Sequence, residues 1–451
     1  DVLGGTGNIA LGSGAMGVAL TTGTDNVAIG ENALDAVTSG TDNTAVGDNA
    51  LGADTTGQRH VAVGSGALLL NTTASNNTAV GYNALTTTTT GGDNTAIGDF
   101  SLDANTTGGS NVAVGQNSLG ANTTASQNTA VGVSALLLNT TGTRNVAVGY
   151  TALDANTTVS DNTGVGYNAL TANTTGSNNT AVGSQALEAN TTALNNTAIG
   201  YKSLEVNTTG ATNTGLGSYA LALNTTASYN SAVGYNALGA NTTGAQNTAV
   251  GYGALDANTT AANNVAVGFE ALSANTTGAS NVAVGSAALD ANTTGTYNVG
   301  VGYEALSAST TTSQNTGVGY RALKDNTGSY NSAFGMSALQ SNTTGSNNTA
   351  VGRDALVSNT TGANNTAVGY LSLYTNSTGA SNTAFGAEAL EKNTTDSNTA
   401  FGYQAAEETT TGDFNVAVGA SAFEDNTTGA QNTAIGGYAL RNNTTANNNV
   451  A

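Results

Sequence analysis

The amino-acid sequence predicts an all-β fold, namely a parallel β-solenoid (β-roll) of about 26 stacked coils of 17 residues each. One observation is the motif NTAVG, whose glycine recurs from Gly12 to Gly436 at steps of 17 residues, after a longer first interval and with two steps of 16. A second is the consensus NTAVGYxALxANTTGxx, in which short Val-rich segments alternate with Asn, Thr and Gly. The third is composition, because the 451 residues include no proline, cysteine or tryptophan and only 8% are charged.

Each coil is predicted to hold two short strands separated by turns, with coil positions numbered 1 to 17 from the first Asn of the motif. One glycine per coil, together with Asn-Thr-Thr and Val-rich segments, disfavours a helix. In NTAVG, strand alternation places positions 2 and 4 on one face and positions 3 and 5 on the other. A second strand is predicted through xALx, with the leucine pointing inward, and NTTG is predicted to form an exposed turn.

A single coil is predicted to be unfolded, so the coils must stack. Burial of one Val and one Leu, at about 1.5–3 kcal/mol each, does not offset about 1–2 kcal/mol of backbone entropy per residue. Stacking at about 4.8 Å adds parallel hydrogen bonds and packs each large side chain on its counterpart in the next coil. The predicted core residues, at positions 4 and 9 of three successive coils, are Val114, Leu119, Val131, Leu136, Val148 and Leu153.

Two columns of asparagine are predicted to form ladders of side-chain amides along the stack. Position 1 is Asn in every copy from Asn8 to Asn449 except His60, and position 12 is Asn without interruption from Asn105 to Asn292. Representative ladder residues are Asn111, Asn128 and Asn145 at position 1, and Asn105, Asn122 and Asn139 at position 12.

The face formed by positions 3 and 5 is predicted to pack closely against another backbone. These positions hold only Ala or Gly in every full coil, and small residues along a whole face indicate close approach. That backbone is either a second wall of the same coil or a neighbouring chain, and the thinness of the coil favours a neighbouring chain, arranged as a homotrimer. Representative residues of this face are Ala113, Gly115, Ala130, Gly132, Ala147 and Gly149.

The whole chain, residues 1–451, is predicted to be one continuous repeat array with an irregular first coil at residues 1–25. The last three residues, 449–451, begin a new coil, which predicts a segment of a longer fibre protein. Head-to-tail stacking into filaments is a further expectation, because uncapped β ends tend to pair.

Charge and composition argue against several classes of partner. The net charge of −20, from 28 acidic and eight basic residues, disfavours nucleic acid and anionic membranes. No apolar run approaches the about 18–20 residues that cross a bilayer, so this segment is not expected to insert into a membrane. With no cysteine and one histidine, no metal or other cofactor is predicted.

The sequence also predicts that the protein is not an enzyme, because catalysis needs particular residues that converge at one place. The single histidine, His60, replaces an Asn of the position 1 column and is interpreted as a tolerated substitution. Carboxylates at position 10, such as Asp103 and Asp154, keep a polysaccharide-degrading β-helix as an alternative.

Two surface features are candidates for recognition. Position 6 is often Tyr, and exposed aromatic ladders can bind sugars or apolar surfaces, although ordinary packing between coils is the favoured interpretation. The tyrosines of successive coils are Tyr150 and Tyr167, Tyr235 and Tyr252, and Tyr303 and Tyr320. The NTT turns form glycosylation sequons, and pairs such as Thr123-Thr124 suggest ice binding, although adjacent threonines should point in different directions.

The motif NTAVGYxALxxNTTG resembles the head repeats of trimeric autotransporter adhesins, the YadA-like family, whose coils carry a similar SVAIGxxAxA pattern. The resemblance covers residues 8–451, and the coil is also similar to repeats in phage tail fibres and bacterial surface fibre proteins. It implies a left-handed parallel β-roll, three chains side by side, and an extracellular place on a cell surface or virion fibre. The period here is longer than in the adhesin heads, because of the added NTT turn.

The predicted function is that of a structural and adhesive extracellular fibre segment without catalysis, which gives a rigid rod for surface attachment or filament formation. The expected partners are copies of the chain itself and glycans or proteins of a host surface. The alternatives are an ice-binding or glycan-binding β-solenoid and, less favoured, a polysaccharide-degrading β-helix.

Overall fold

The structure is a computed structural model that describes residues 6–17 and 20–451. The described residues form a parallel β-solenoid in which each of 26 coils contributes one three-residue strand, and they include no helix. The predicted all-β parallel β-solenoid of about 26 coils is therefore confirmed. The Cα positions divide the chain into two compact units, unit 1 (residues 1–228) and unit 2 (residues 229–451). Within the described residues there is no helix with the length and hydropathy of a membrane span.

Unit 1 contains thirteen strands, each paired in parallel and in register with its neighbours in the sequence. They are β1 (Ile9–Leu11), β2 (Val27–Ile29), β3 (Thr44–Val46), β4 (Val61–Val63), β5 (Thr78–Val80), β6 (Thr95–Ile97), β7 (Val112–Val114), β8 (Thr129–Val131), β9 (Val146–Val148), β10 (Thr163–Val165), β11 (Thr180–Val182), β12 (Thr197–Ile199) and β13 (Thr214–Leu216). The irregular first coil predicted at residues 1–25 lies partly outside the described residues, which do include β1 and its pairing with β2.

Unit 2 contains the other thirteen strands with the same parallel, in-register pairing. They are β14 (Ser231–Val233), β15 (Thr248–Val250), β16 (Val265–Val267), β17 (Val282–Val284), β18 (Val299–Val301), β19 (Thr316–Val318), β20 (Ser332–Phe334), β21 (Thr349–Val351), β22 (Thr366–Val368), β23 (Thr383–Phe385), β24 (Thr399–Phe401), β25 (Val416–Val418) and β26 (Thr433–Ile435). Outside these strands, Val450 forms an isolated parallel bridge with Thr433.

The prediction of a second strand through xALx is wrong, because this segment forms a series of tight turns. Positions 7 and 9 have left-handed backbone angles, with φ of 56° at Asn117 and 52° at Leu119. The backbone N–H of Leu119 donates to the carbonyl of Ala135 in the next coil at 3.0 Å, whereas that of Asn122 donates back to Leu119 at 3.1 Å. Backbone hydrogen bonds between coils therefore alternate with backbone hydrogen bonds within the coil, which keeps the segment compact.

The interior of each coil is lined by leucine and alanine. Leu119, Leu136 and Leu153 are all 0% exposed, and so is the position 3 alanine of every strand that carries one from β2 to β26. At Gly164, which stands at position 3 of β10, an added Cβ would lie 3.2 Å from Leu153 Cγ and 3.1 Å from the Ala169 carbonyl. Position 3 therefore packs on the leucine of the preceding coil, and only a small side chain fits there.

The assignment of position 4 to the core requires correction. Val131 is 36% exposed, and Val114 and Val148 are partly exposed, because their side chains leave the strand on the face opposite to the buried alanines. The interior next to the leucine has room for Ala but not for Val. Positions 2 and 4 therefore form the outer face of the coil.

The close approach at positions 3 and 5 occurs within the chain and does not need a neighbouring molecule. Ala113, Ala130 and Ala147 are buried inside their own coils, so the favoured interpretation of this face as a contact between chains is wrong. At Gly132, with φ of 135°, an added Cβ would lie 2.4 Å from the carbonyl oxygen of Gly149 in the next coil. This glycine column is required because successive coils touch there through their backbones.

The two asparagine columns differ in their bonding. At position 12, Asn122 Nδ2 donates to Asn105 Oδ1 at 2.9 Å and Asn139 Nδ2 donates to Asn122 Oδ1 at 3.0 Å, which is a continuous ladder of amides. At position 1, Asn128 Nδ2 donates to the Gly142 carbonyl across its own coil, and its Oδ1 accepts the backbone N–H of Asn145, both at 2.9 Å. The position 1 column is therefore mainly a side-chain to backbone ladder that both closes each coil and joins it to the next.

The two shorter coils keep these contacts although each lacks one residue. In the full turn, Asn139 Nδ2 donates to the carbonyl three residues later, at Gly142. In the shortened turns, Asn326 donates to Gly328 and Asn393 donates to Thr395, each only two residues later and at 2.8 Å. The deletions are tolerated because the turn can shorten without loss of the buried amide bond.

Candidate functional site

The outer face of the strands, formed by positions 2 and 4, is a regular exposed surface of the described coils. Position 4 is Val, Ile, Leu or Phe in all 26 strands and is never charged. Among its members, Val131 is 36% exposed, Val351 38% and Phe401 46%. Neighbouring strands hold these side chains in register, as in the pairing of Val131 with Val148. The sequence identified the two columns, but it assigned them to the interior.

The position 6 tyrosines follow position 4 by two residues. Where tyrosines stand at position 6 of successive coils, their rings stack face to face along the solenoid. Ring centroids are 5.7 Å apart for Tyr150 and Tyr167, with planes 10° from parallel. Tyr235 and Tyr252 stack in the same way at 5.4 Å. Phe269 extends the second stack, because it lies 5.4 Å from Tyr252. Within each pair the two facing ring surfaces cover each other, and each of these tyrosines is still about half exposed.

The pair Tyr303 and Tyr320 belongs to a charged cluster. The two rings stack at 5.5 Å, and the Arg321 guanidinium lies 5.0 Å from the centre of the Tyr320 ring. Arg321 Nε also forms an ion pair with the Glu304 carboxylate at 2.9 Å. A hydrogen bond from Tyr303 lowers the pKa of Glu304, with a smaller lowering by Arg321. Packing between coils therefore accounts for the order of both rings.

The NTT turns present one threonine column and bury the asparagine. Thr123 Oγ1 donates to the Thr140 carbonyl at 3.1 Å, whereas Thr124 is exposed, so the two side chains do not share a flat face. Asn122 is 0% exposed and its Nδ2 donates to Asn105 and to Ala125. Because Nδ2 is the atom to which N-linked glycans attach, the folded turn does not present this sequon for modification.

Carboxylates are the only group of potential metal ligands that cluster in the described coils. Glu388, Glu391 and Glu407 each place a carboxylate oxygen within 4.8 Å of the others, at a partly exposed site. Burial and mutual repulsion raise the pKa values of Glu391 and Glu407. Glu408, beside them, forms an ion pair with Lys392. Oxygen ligands of this kind suit Ca²⁺ or Mg²⁺, but the arrangement is also that of ordinary surface charges.

The position 10 carboxylates include both isolated residues and neighbours in successive coils, such as Glu188 and Glu205 or Glu391 and Glu407. Asp103, Asp154, Asp256 and Asp290 are partly buried, and desolvation raises the pKa of each. They stand in coils that are separated by one or more coils without an acid at position 10.

His60 takes over both hydrogen bonds of the asparagine it replaces. Its Nδ1 accepts the backbone N–H of Asn77 at 3.2 Å, and its Nε2 lies 2.7 Å from the Ala74 carbonyl, to which it donates in the matching tautomer. The ring is 0% exposed, and burial lowers the pKa of the imidazole. A neutral imidazole therefore fits the position 1 column as an asparagine does.

Asp54 is a buried carboxyl group that the sequence did not single out. It occupies position 12 in the coil before His60 and is 0% exposed. Its Oδ1 accepts from Asn71 Nδ2 at 2.7 Å and from the Gly57 N–H at 3.2 Å, but its Oδ2 has no hydrogen-bond partner. Burial raises the pKa of Asp54 to about 7, against a smaller lowering by these two bonds. The only sequence signal was an acidic residue in a column that is elsewhere mostly Asn.

Comparison of the sequence with models of known protein families and with curated proteins found no match.

Proposed function

We propose that the chain is a structural and adhesive segment of an extracellular fibre, that it assembles with copies of itself, and that it has no catalytic role. The observation that carries this proposal is the uncharged outer face of the strands, repeated in register through thirteen coils of each unit. The interior of the described coils supports the same proposal, since it is filled by alanine, leucine and hydrogen-bonded asparagine, which stabilise the stack.

The outer face is the surface that we propose for contact between copies. An uncharged, in-register β face with an apolar position 4 column is suited to pack on another such face at about 10 Å, with interlocking side chains. Exposed apolar surface of this extent on a soluble protein commonly marks an interaction site. The predicted homotrimer is retained, but the contact moves from positions 3 and 5 to positions 2 and 4.

The proposed contact is tested by lysine at position 4 of three successive strands. Val131→Lys, Val148→Lys and Val165→Lys, combined in one variant, would place three charges on the outer face of β8 to β10. Sedimentation equilibrium of the native chain is expected to give the mass of three copies, and the variant is expected to dissociate to single chains.

A matched control places the same charges on the turn edge of the same coils. Thr124→Lys, Thr141→Lys and Thr158→Lys change exposed residues of the NTT turns, so this variant is expected to keep the native mass. A native chain that stays monomeric at every concentration, or two variants that dissociate equally, would overturn the proposed contact.

For adhesion, we propose that the stacked tyrosines contact host glycans or proteins through ring edges and hydroxyl groups. Sugar rings usually bind to the free face of an aromatic ring, and in each stack the faces that meet are covered. Binding of the native chain to glycan arrays and to cells, compared with Tyr235→Ala/Tyr252→Ala, tests this part. Equal binding by both proteins would exclude these tyrosines from recognition.

Ice binding is a second candidate, favoured by the same outer face and not by the Thr123-Thr124 pairs. In β2 to β12, positions 2 and 4 hold only Val, Thr or Ile, which present two regular columns of methyl and hydroxyl groups. A single chain with this face exposed would show thermal hysteresis, whereas a chain that buries the face in a trimer would not. The two candidates therefore predict opposite results for the native assembly.

A further inference from the structure

The position 12 column is interrupted near the start of unit 1, although position 12 stays buried there. Of four successive coils, three hold Val37, Asp54 and Thr88 in place of asparagine and one keeps Asn71, and all four side chains are 0% exposed. Each change removes a donor or an acceptor that the regular ladder would supply. Two buried oxygens remain without a partner, Asp54 Oδ2 and Asn71 Oδ1.

Asp54 occupies a position at which the regular ladder has an amide that both accepts and donates hydrogen bonds. In the regular column, Asn122 Oδ1 accepts from the next coil while its Nδ2 donates to the preceding coil and to the Ala125 carbonyl. Asp54 Oδ1 fills the accepting role toward Asn71. Its Oδ2 replaces the donor, and Val37 of the preceding coil offers it no polar group. A protonated carboxyl group restores a donor at this atom, whereas an ionised one leaves a buried charge uncompensated.

We propose that Asp54 is protonated in the folded coil and that its ionisation opens the coils around residues 43–76, which makes this stretch a proton-controlled weak point of unit 1. The shift in the pKa of Asp54 to about 7 agrees with the geometry. This proposal is independent of the proposed fibre function, because it concerns the interior of a single unit.

Few other titratable groups face this cluster. His60 is the one in contact, since its Nε2 lies 3.1 Å from Asn71 Nδ2. Arg59 is exposed and donates to Asn76 Oδ1. Burial lowers the pKa of His60, and the charge of Arg59 adds a smaller lowering. The carboxylates of the preceding and same coils, Glu31, Asp35, Asp42 and Asp48, are exposed. Arg59 is the one Lys or Arg in residues 26–93, so the flanking coils supply no buried Lys or Arg to an ionised Asp54.

The two buried groups act in opposite directions with pH. Because the pKa of Asp54 is raised in the fold, the folded coil binds its proton more tightly than the unfolded chain, and stability falls as pH rises from the ordinary value of 3.8 to about 7. Because the pKa of His60 is lowered, stability rises with pH up to its ordinary value of 6.5. From 6.5 to about 7, Asp54 is the group of the two that still changes the stability.

Hydrogen exchange of the full chain, compared with Asp54→Asn, tests the proposal. Asparagine supplies the missing donor and carries no charge, so its opening equilibrium should not respond to ionisation. Over about pH 4 to pH 8, opening of residues 43–76 in the native chain, relative to the variant at the same pH, is expected to increase about a thousandfold. Amides of residues 111–162 should show no such difference.

Two controls keep the test decisive. Asp42→Asn removes an exposed carboxylate from the neighbouring coil and should leave the pH dependence unchanged. If Asp54→Asn fails to fold, Asp54→Thr replaces it, since Thr88 shows that the column accepts threonine. In the difference between the infrared spectra of the native chain and of either variant, the band of one protonated carboxyl group should persist up to near-neutral pH. Equal pH dependence in the native chain and the Asp54 variant, or a carboxyl group ionised throughout, would overturn the proposal.

Discussion

The inner and outer faces of the same three-residue strand differ in what they require of a side chain. On the inner face, position 3 is Ala or Gly in all 26 strands, because the leucine of the preceding coil and a backbone carbonyl lie close to any Cβ. On the outer face, position 4 varies from Val to Phe and stays only apolar. Constancy of side-chain size therefore marks the interior of this coil, whereas hydrophobicity alone does not.

The largest effect is expected where two inner backbones touch. Gly149→Ala would bring a Cβ within 2.3 Å of the Gly166 carbonyl oxygen at φ of 138°, and we expect a loss of about 4 kcal/mol in local stability. Hydrogen exchange of the amides in β9 and β10 measures it. Gly120→Ala is the matched control, since position 10 accepts many residue types and its nearest contact is the end of Leu137 at 3.2 Å. A mild effect at Gly149 would contradict the backbone contact.

The next effect concerns the buried amide ladder. Asn139→Leu removes the bonds of Asn139 to Asn122, Gly142 and Asn156, each 3.0 Å long. Because it leaves buried polar groups without partners, we expect a loss of about 2–3 kcal/mol. Hydrogen exchange of the backbone amides in this coil measures the loss. The control Gln116→Ala, at an exposed position, should change the stability by less than about 0.5 kcal/mol. An equally small change in stability for Asn139→Leu and Gln116→Ala would contradict a stabilising role of the ladder.

The two faces of β9 are compared directly by adjacent substitutions. Ala147→Val adds two methyl groups beside the leucine in the interior, for which we expect a loss of about 2 kcal/mol. Val146→Thr changes the outer face to the residue that stands at position 2 in β8 and β10, and it should be nearly neutral. Thermal unfolding measures the two losses of stability. A larger loss for Val146→Thr than for Ala147→Val would contradict the assignment of the two faces.

The smallest effect has the opposite sign. Ser134 at position 7 has φ of 56°, and Gly66 and Gly253 occupy the same position with φ of 69° and 59°. Ser134→Gly should therefore stabilise its coil by about 0.5–1 kcal/mol, because glycine adopts this conformation without strain. Ser134→Ala retains the strain and serves as the control. A loss of stability with glycine would contradict the left-handed backbone of this turn.

Much of the fold could be predicted from the sequence, because a strict 17-residue repeat dictates that like residues stack on like residues. The inward leucine and the ladder at position 12 follow from that repeat. The inward face of the strand could not be predicted, since alternation separates Val131 from Ala130 without saying which faces inward, and hydrophobicity favours the valine. The available signal was size, because position 3 never exceeds alanine.

The turn segment was misassigned for a different reason. Leucine rarely adopts positive φ, so a left-handed Leu136 contradicts its propensity. The conformation is retained because its N–H bonds to Ala152 of the next coil while its side chain fills the interior. The Asn and Gly residues frequent at position 7 were the only local signal. The buried Asp54 was equally hidden, because its meaning depends on Val37 and Asn71, which lie 17 residues before and after it.

The in-register stacking of like residues is tested most directly by cysteine pairs in this cysteine-free chain. Thr129→Cys/Val146→Cys joins two residues that pair across β8 and β9, at a separation that a disulfide can bridge. Thr129→Cys/Val148→Cys shifts one partner by two residues along the strand, beyond that reach. Mass spectrometry after mild oxidation is expected to find the intramolecular bond in the first variant and not in the second. Efficient bonding in the second variant, or in neither, would contradict the stacking on which the account rests.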